Sequence, residues 1–471
     1  MKLQSILFLG ILLLAISGCN SNNEIKNSKP NIILILVDDL GWKDAGFMGS
    51  TYYETPNIDN LAKKGMVFTN AYANAPNCAP SRASLLTGQY TPRHGIYTVN
   101  SSERGDTKHR RIIPTKNTTT LSTDKITIAE LLKEAGYVSA SIGKWHMGNP
   151  PELGPKSQGF DVNIAGNHAG HPKSYFSPYK NKNLSDGKDG EHLTERLTNE
   201  ALTFIETNKE QPFFLYLPYY AVHTPLQGKE EKIEKYKNKQ KTPSHNNPTY
   251  AAMIESVDNG VGKITAKLDE LKLSENTVVI FFSDNGGFGG ATAMDPLRGS
   301  KGMLYEGGIR IPMIVRWEGT INPKTICDTM VIGSDIFPTL TEIAGVEIPE
   351  NQIVDGKSIV PLLLRKKGFK RDALFWHFPA YLQGNYKGSR DKYFRTRPCG
   401  VVRMGDWKLI EYFEDNELEL YNLKSDIGET RNLANDLPKK RDELHKVMKE
   451  WRASINAPVP TKRNPEYNSE N

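Results

Sequence analysis

Two pairs of polar residues stand directly behind two apolar runs of the sequence. Asp38 and Asp39 follow the first run, and Asp284 and Asn285 follow the second. If both runs are parallel strands of one sheet, their carboxyl ends meet at one edge, where such sheets bind ligands. Three carboxylates and an amide brought together need a cation, and all-oxygen ligands favour calcium or magnesium. Each pair taken alone is equally well explained as turn and capping residues.

A further reactive segment is CAPSRASLLTG, which begins at Cys78 and ends at Gly88. Pro80 suits an early position in a short helix, so Cys78 is expected just ahead of that helix. A helix N-terminus favours anions, and Arg82 adds a positive charge nearby. A cysteine in these surroundings has a lowered pKa and can act as a nucleophile.

The elements that must position these residues follow from the apolar pattern. Continuous apolar runs at 32–37 and 277–282, with a third candidate at 212–218, are typical of parallel strands buried on both faces. Residues 251–271 place apolar side chains at steps of three and four, which predicts a helix with one buried face, and 126–135 predicts another. Strands that alternate with helices predict an α/β fold with a mostly parallel sheet flanked by helices.

The pattern changes after Gly345. From residue 372 onward, short strand-like pieces alternate with turn residues, and 437–453 predicts a charged helix. This part is expected to form a smaller C-terminal α+β domain with an antiparallel sheet. The predicted boundaries are 30–368 for the first domain, 369–457 for the second and 458–471 for a polar tail.

The N-terminus predicts export. Lys2 precedes an apolar run that is too short to span a bilayer but fits the core of a signal peptide. Two small residues then precede Cys19, an order that resembles the lipobox of bacterial lipoproteins. We therefore predict a signal peptide at 1–18, lipidation of Cys19 and a polar tether at 19–29. Ordinary secretion with an incidental cysteine is the alternative.

Composition excludes several classes of protein. The 471 residues are 38% hydrophobic and 24% charged, which excludes a disordered or fibrous chain. The net charge of +6 is mild and no basic block is present, so no nucleic-acid partner is expected. Four cysteines are too few for a disulfide scaffold, and pairing of Cys327 with Cys399 stays open.

The segment 78–88 closely resembles the signature of the type I sulfatases, C-x-P-S-R followed by L-T-G. In that family the cysteine is oxidised to formylglycine (3-oxoalanine). The resemblance continues in the expected order from about residue 31 to about residue 434. The other similar segments are Gly136-Tyr137, Gly143-Lys144-Trp145-His146, 212–227 around His223, 296–312 around Lys301, and 406–409 and 419–423, which look like segments of bacterial polysaccharide sulfatases.

The resemblance implies an alkaline-phosphatase-like fold and hydrolysis of sulfate monoesters. One hydroxyl of the hydrated formylglycine would attack sulfur, His223 would protonate the leaving alcohol, and His146 or Asp284 would assist sulfate release. The implied catalytic residues are Cys78, Arg82, Lys144, His146, His223 and Lys301, of which Arg82, Lys144 and Lys301 would hold the sulfate oxygens. The implied ligands of one Ca²⁺ are Asp38, Asp39, Asp284, Asn285 and the modified Cys78.

A tethered bacterial sulfatase resembles members of polysaccharide-degrading systems. We therefore expect a sulfated glycan substrate, such as ulvan, carrageenan or a host glycosaminoglycan. Loops build the pockets of such sites, and 167–175 and 377–397 are the candidate linings. The candidate substrate contacts are His168, His171, His377, Arg395 and Arg397, the arginines because their fork suits sulfate and carboxylate oxygens.

The resemblance also implies partners and a location. The expected partners are the glycan, a formylglycine-generating or anaerobic sulfatase-maturating enzyme, and a membrane that holds the lipid anchor. The expected location is the cell envelope, on the periplasmic face or the cell surface. Two alternatives stay open: a phosphatase or phosphodiesterase of the same superfamily, and a non-catalytic glycan-binding lipoprotein whose Cys78 is never oxidised.

Overall fold

The computed structural model describes residues 29–468, so the predicted signal peptide, Cys19 and the tether up to residue 28 lie outside the described residues. The strands are β1 (Asn31–Val37), β2 (Met66–Phe68), β3 (Ala71–Tyr72), β4 (Val138–Ile142), β5 (Val162–Ile164), β6 (Phe213–Tyr219), β7 (Thr277–Ser283), β8 (Met313–Trp317), β9 (Thr325–Cys327), β10 (Val331–Ile332), β11 (Leu374–Phe378), β12 (Leu382–Gln383), β13 (Phe394–Thr396), β14 (Cys399–Met404), β15 (Trp407–Tyr412) and β16 (Leu418–Asn422). The α-helices are α1 (Pro56–Lys63), α2 (Cys78–Thr87), α3 (Thr91–His94), α4 (Ile128–Glu134), α5 (Leu193–Thr207), α6 (Glu230–Lys237), α7 (Pro248–Glu270), α8 (Glu306–Ile309), α9 (Ile336–Ala344), α10 (Val360–Leu363) and α11 (Pro438–Ser454). Within 29–468, no helix combines the length and the apolar character needed to cross a membrane.

An eight-stranded sheet in the order β5-β4-β6-β1-β7-β8-β2-β9 forms the centre of the fold. Strands β5, β4, β6, β1 and β7 run parallel, whereas β8 is antiparallel to both of its neighbours. The three strands predicted from apolar runs are β1, β6 and β7, each within one residue of the predicted ends. The predicted mostly parallel α/β sheet is confirmed.

Both faces of the sheet are covered by helices, which explains the continuous apolar runs. Alternate side chains of β1 enter different cores, with Ile32 and Leu34 in one and Ile33 and Ile35 in the other. Residues of α2, α4 and α9 complete the first core, and residues of α1, α5 and α7 complete the second.

Capping residues set the first residue of two of the predicted helices, α7 and α4. α7 begins at Pro248, three residues earlier than predicted, because the Asn247 side chain caps it and proline suits the first turn. α4 begins at Ile128, two residues later than predicted, because Thr127 and Glu130 form a capping box.

The C-terminal part contains the predicted antiparallel sheet, in the order β11-β14-β15-β16. α11 packs on it through Leu444 and Met448. The segment after α11 folds back onto the molecule, since the Ile113 N–H donates to the Lys462 carbonyl oxygen at 2.8 Å. The predicted α+β architecture is confirmed, and the division at 368/369 stays a prediction.

Candidate active site

β1 and β7 bring four buried polar side chains to the same edge of the sheet. The two strands are parallel neighbours, paired to their last residues, so Asp38 and Asp39 meet Asp284 and Asn285. Asn285 Nδ2 donates to Asp39 Oδ1 at 2.8 Å, and the Asp39 N–H donates to Asp284 Oδ1 at 3.2 Å. Asp39 has a φ of 63°, a left-handed backbone that is uncommon outside glycine and recurs at functional sites.

The first turn of α2 adds a cysteine to this edge. Cys78 is the first residue of α2 rather than the residue before it, because Asn77 occupies the capping position. Cys78, Asp38, Asp39 and His223 each place one potential ligand atom within 4.8 Å of the others. The geometry therefore brings the predicted nucleophile position to the predicted metal ligands.

Arg82 and Lys144 are fully buried and face the carboxylates. Arg82 Nε donates to Asp284 Oδ2 at 2.9 Å, and Arg82 Nη2 forms an ion pair with the same oxygen at 2.7 Å. Lys144 Nζ lies 2.5 Å from Asp38 Oδ2. In this structure both side chains hold carboxylates, whereas the sequence predicted that they hold the sulfate oxygens.

Lys301 and His223 both approach the carboxylate group of Asp39. Lys301 Nζ is 2.7 Å from Oδ1 and 2.8 Å from Oδ2. His223 Nε2 is 3.6 Å from Oδ2, and Nδ1 is 2.8 Å from the Thr224 carbonyl oxygen. Because a carbonyl only accepts, Nδ1 carries the proton and Nε2 is the atom that faces the site.

The loop after β4 shapes the opposite side of the site. Gly143 has a φ of 130°, and a Cβ there would lie 2.1 Å from the Pro218 carbonyl oxygen, so the position requires glycine. His146 also has a left-handed φ, 67°, and is buried. Burial, reinforced by Lys144, lowers the pKa of His146 well below its usual range, so the ring is neutral near pH 7.

The carboxyl groups differ in how readily they ionise. Burial raises the pKa of Asp38 well above its usual range, although Lys144 opposes the shift. Burial also opposes ionisation of Asp39 and Asp284, but their cationic neighbours, above all Lys301 and Arg82 respectively, bring each pKa below its usual range. A further cation beside Asp38 would favour its ionised form.

Two of the predicted metal ligands have a buried oxygen atom that accepts no hydrogen bond within residues 29–468. These atoms are Oδ1 of Asp38 and Oδ1 of Asn285. Buried polar atoms in proteins are nearly always partnered, so these two oxygens point to a group that binds oxygen. With Asp39 and Asp284 beside them, the donor set fits one hard divalent cation, calcium or magnesium.

The Cys78 thiol is unusually acidic. Burial opposes its ionisation, but Lys144 and Lys301 outweigh burial and lower the pKa to about 6. The N-terminus of α2 favours negative charge at the same place. The position therefore stabilises an anion, as a nucleophile site requires.

These groups open into a cavity of about 420 Å³. Its lining includes five residues of the predicted site and three of the predicted substrate contacts, namely Asp39, Cys78, His146, His223 and Lys301 with His168, His171 and Arg395. The catalytic side chains thus lie at one surface that is open to a ligand.

His377 and Arg397 do not line this cavity, so the structure does not bring them together with the other predicted substrate contacts. His377 is buried, and its Nε2 lies 2.8 Å from the Pro458 carbonyl oxygen. Arg397 forms ion pairs with Asp391 and Glu414. Both side chains are therefore occupied by partners that only the folded C-terminal part brings to them.

Arg104 and Phe288 line the cavity and were missed by the sequence analysis, whereas Leu382, which also lines it, lies within the predicted lining 377–397. Arg104 has no acidic partner within residues 29–468, and burial together with Arg395 lowers its pKa. Its local sequence contains several other basic residues and gives no signal that sets Arg104 apart.

A mostly parallel sheet with this site at its carboxyl edge is the architecture of the alkaline-phosphatase-like hydrolases, which confirms the expected fold class. Residues 30–346 match the sulfatase family, and residues 299–456 match the C-terminal family of N-sulphoglucosamine sulphohydrolase. The chain belongs to the sulfatase family and is a sulfuric ester hydrolase.

Two groups of relatives support this assignment. A sulfatase of Formosa agariphila is 33% identical, with 97% of this chain and 95% of the relative aligned. The human N-acetylgalactosamine-6-sulfatase is 33% identical, with 74% of this chain and 68% of the relative aligned.

Solved structures support the same family assignment. The crystal structure of Ps i-CgsB is 32% identical, with a TM-score of 0.74 over 94% of this chain and 96% of that chain. Its complex with k-i-k-neocarrahexaose has a TM-score of 0.75 at 32% identity, covering 92% and 95%. A phosphonate monoester hydrolase of Agrobacterium radiobacter, 20% identical with a TM-score of 0.68, shares the fold.

Proposed function

We propose that this protein is a calcium-dependent sulfatase that removes sulfate from a sulfated glycan and uses a formylglycine derived from Cys78. The observation that carries the proposal is that Cys78, Asp39, Lys301 and His223 line one cavity. Asp38 and Asp284 belong to the same cluster of side chains. A cation site with a purely structural role would not need an acidic cysteine beside it, nor a histidine that lines a cavity.

Asp38, Asp39, Asp284 and Asn285 would hold the calcium ion, together with the modified Cys78. When bound, the ion lowers the pKa of an adjacent hydroxyl and offsets negative charge. Arg82 and Lys144 hold Asp284 and Asp38 in position through their short contacts. The hydrated formylglycine would supply the nucleophilic oxygen at the N-terminus of α2.

Lys301 and His223 act on the substrate side. Lys301 lines the cavity and lies beside Asp39, so its ammonium group can bind a sulfate oxygen while it stays paired. The Thr224 carbonyl accepts the Nδ1–H of His223 and so orients Nε2 toward the cavity. In the protonated ring Nε2 also carries a proton, which it would give to the leaving alcohol.

A glycan is the substrate class that the relatives favour. One relative of similar length is recorded in complex with a neocarrahexaose, and others are N-acetylgalactosamine-6-sulfatases. Maturation would need a formylglycine-generating or anaerobic sulfatase-maturating enzyme. Export and lipidation of Cys19 would place the enzyme in the cell envelope.

The decisive experiment combines mass spectrometry with sulfate release. Protein from its native host should contain an aldehyde in place of the Cys78 thiol, and it should release sulfate from at least one member of a sulfated oligosaccharide panel. Cys78→Ala should abolish release, whereas Cys327→Ala, at a cysteine away from the cavity, should retain it.

Three results would contradict the proposal. An unmodified Cys78 with glycan binding but no release would favour the non-catalytic lipoprotein. Release of phosphate in preference to sulfate would favour a phosphatase or phosphodiesterase. Full activity after chelation, or zinc at full occupancy, would exclude the calcium site.

A further inference from the structure

A second cavity, of about 430 Å³, opens beside the catalytic cavity. The two share Ala169 and His171 in their linings, so a ligand bound in one can extend into the other. The second cavity contains none of the residues to which the proposed function gives a catalytic or metal-binding role.

The lining of the second cavity carries one sign of charge. Lys173, Lys180 and Lys182 line it, and no aspartate or glutamate does. All three lysines are exposed, and none has an ion pair or a hydrogen-bond partner within the described part of the chain. Other exposed lysines of this protein, such as Lys133 and Lys237, pair with acidic side chains. The cavity therefore presents free ammonium groups to solvent.

Asparagine side chains build the wall that carries these lysines. Asn181 Nδ2 donates to the Ala165 carbonyl at 2.9 Å and its Oδ1 accepts from Asn167 Nδ2 at 3.2 Å. Asn183 Nδ2 donates to the Gly166 carbonyl at 3.0 Å. These bonds join the loop of Lys180 and Lys182 to residues 165–167, so the cavity wall is an ordered structure.

The same wall is connected to the catalytic cavity. The Asn167 carbonyl accepts the His146 N–H at 2.8 Å, and His146 lines the catalytic cavity. Lys180 has a φ of 54°, a left-handed conformation that favours glycine or asparagine.

We propose that the second cavity binds an additional anionic group, a sulfate or a carboxylate, of the same glycan whose sulfate lies at Cys78. The substrate class is then a glycan with anionic groups on neighbouring sugars. This inference rests on the proposed function and deepens it. Because both groups belong to one molecule, binding of the first raises the effective concentration of the second.

The test compares two triple variants that lose the same charge. The cavity variant combines Lys173→Gln, Lys180→Gln and Lys182→Gln. The control variant changes three exposed lysines outside both cavities, Lys366→Gln, Lys367→Gln and Lys439→Gln. The substrates are 4-nitrophenyl sulfate and three oligosaccharides of equal length: one with a single sulfate, one with a second sulfate on the neighbouring sugar, and one with a carboxylate there.

The cavity variant should raise KM for an oligosaccharide with two anionic groups by about tenfold, with kcat unchanged. Its KM for the singly sulfated oligosaccharide and for 4-nitrophenyl sulfate should stay at the wild-type value, and the control variant should match wild type throughout. The second anionic group is identified as sulfate or carboxylate by which of the two oligosaccharides shows the larger rise in KM. For the oligosaccharides with two anionic groups, an equal KM in wild type and the cavity variant would overturn the inference. An equal rise of that KM in the cavity variant and the control variant would also overturn it.

Calorimetric titration of the same oligosaccharides separates this inference from the proposed function. If wild type releases no sulfate from any substrate, the proposed function fails. Kd for the oligosaccharide with two anionic groups still tests the cavity, and a Kd that is unchanged in the cavity variant would contradict it.

Discussion

At Cys78 three favourable electrostatic influences coincide, namely the N-terminus of α2 and the ammonium groups of Lys144 and Lys301. They lower the pKa of the thiol despite full burial. The same influences stabilise negative charge on any oxygen at this position. The site is thus suited to an attacking oxygen as well as to a thiolate.

Cys78→Ser separates the two halves of the proposed reaction. A serine oxygen at this position can attack sulfur, but the resulting sulfate ester has no second hydroxyl on the same carbon to expel sulfate. We expect at most about one turnover per enzyme, because covalent catalysis needs both half-reactions to be easy. Sulfate release and peptide mass would be followed in a host that does not oxidise this serine. Sustained turnover near the wild-type rate would refute the formylglycine role.

His223→Gln tests the proposed proton donor through the leaving group. The hydroxyl oxygen of a sugar is a poor leaving group and needs the proton, whereas 4-nitrophenol leaves readily as an anion. We expect kcat to fall by about 10²-fold or more on the glycan and by about tenfold or less on 4-nitrophenyl sulfate. Equal losses on both substrates would assign His223 to another role.

At the scale of elements, a buried ion cluster joins the catalytic part to the C-terminal sheet. Lys408 of β15 lies 3.1 Å from Glu306 of α8 and 2.8 Å from Glu429, and all three are fully buried. Burial raises the pKa of Glu429 to about 7, whereas Lys408 outweighs burial and lowers that of Glu306 to about 2. Lys408 therefore stabilises two carboxyl groups at this junction.

Lys408→Met leaves those carboxyl groups without their shared cation. We expect the free energy of unfolding to fall by about 3–5 kcal/mol at neutral pH, because a carboxylate then stays buried without the cation that offset its desolvation. The loss should shrink in acid, where the carboxyl groups are protonated. Urea denaturation would measure it, with the exposed Lys424→Met as control. A loss equal to that of the control would contradict the role of Lys408.

At the scale of the whole molecule, two sheets contribute to one cavity. The main sheet carries the aspartates at its carboxyl edge and α2 adds Cys78 beside them, while Leu382 and Arg395 reach the cavity from β12 and β13. Substrate selection is therefore shared with the C-terminal part, and its removal should impair glycan hydrolysis.

The proposed lipid anchor gives a prediction for the whole protein in its cell. Cys19→Ala should move the protein from the membrane fraction to the soluble fraction, because acylation supplies the proposed attachment. Cell fractionation with immunodetection would measure this, and Cys327→Ala would serve as control. A Cys19→Ala protein that stays membrane-bound after signal cleavage would rule out lipidation of Cys19.

Much of the fold follows from local sequence, for identifiable reasons. β1 and β7 are buried on both faces, so their sequences are continuous apolar runs that stand out. The helix ends were less predictable, because the capping bonds of Asn247 and Thr127 depend on side-chain geometry. Asp38, Asp39, Asp284 and Asn285 were predictable as a group, since adjacent parallel strands end at the same edge.

The sequence by itself determined the family, the sheet type and the residues at the strand ends, because these depend on short motifs and apolar periodicity. Only the tertiary structure decided which loop residues reach the cavity. Arg395 lines it while Arg397 pairs with Glu414, although the two are only two positions apart. Arg104 reaches the cavity beside Arg395, which is distant in sequence, and no local pattern encodes such an approach.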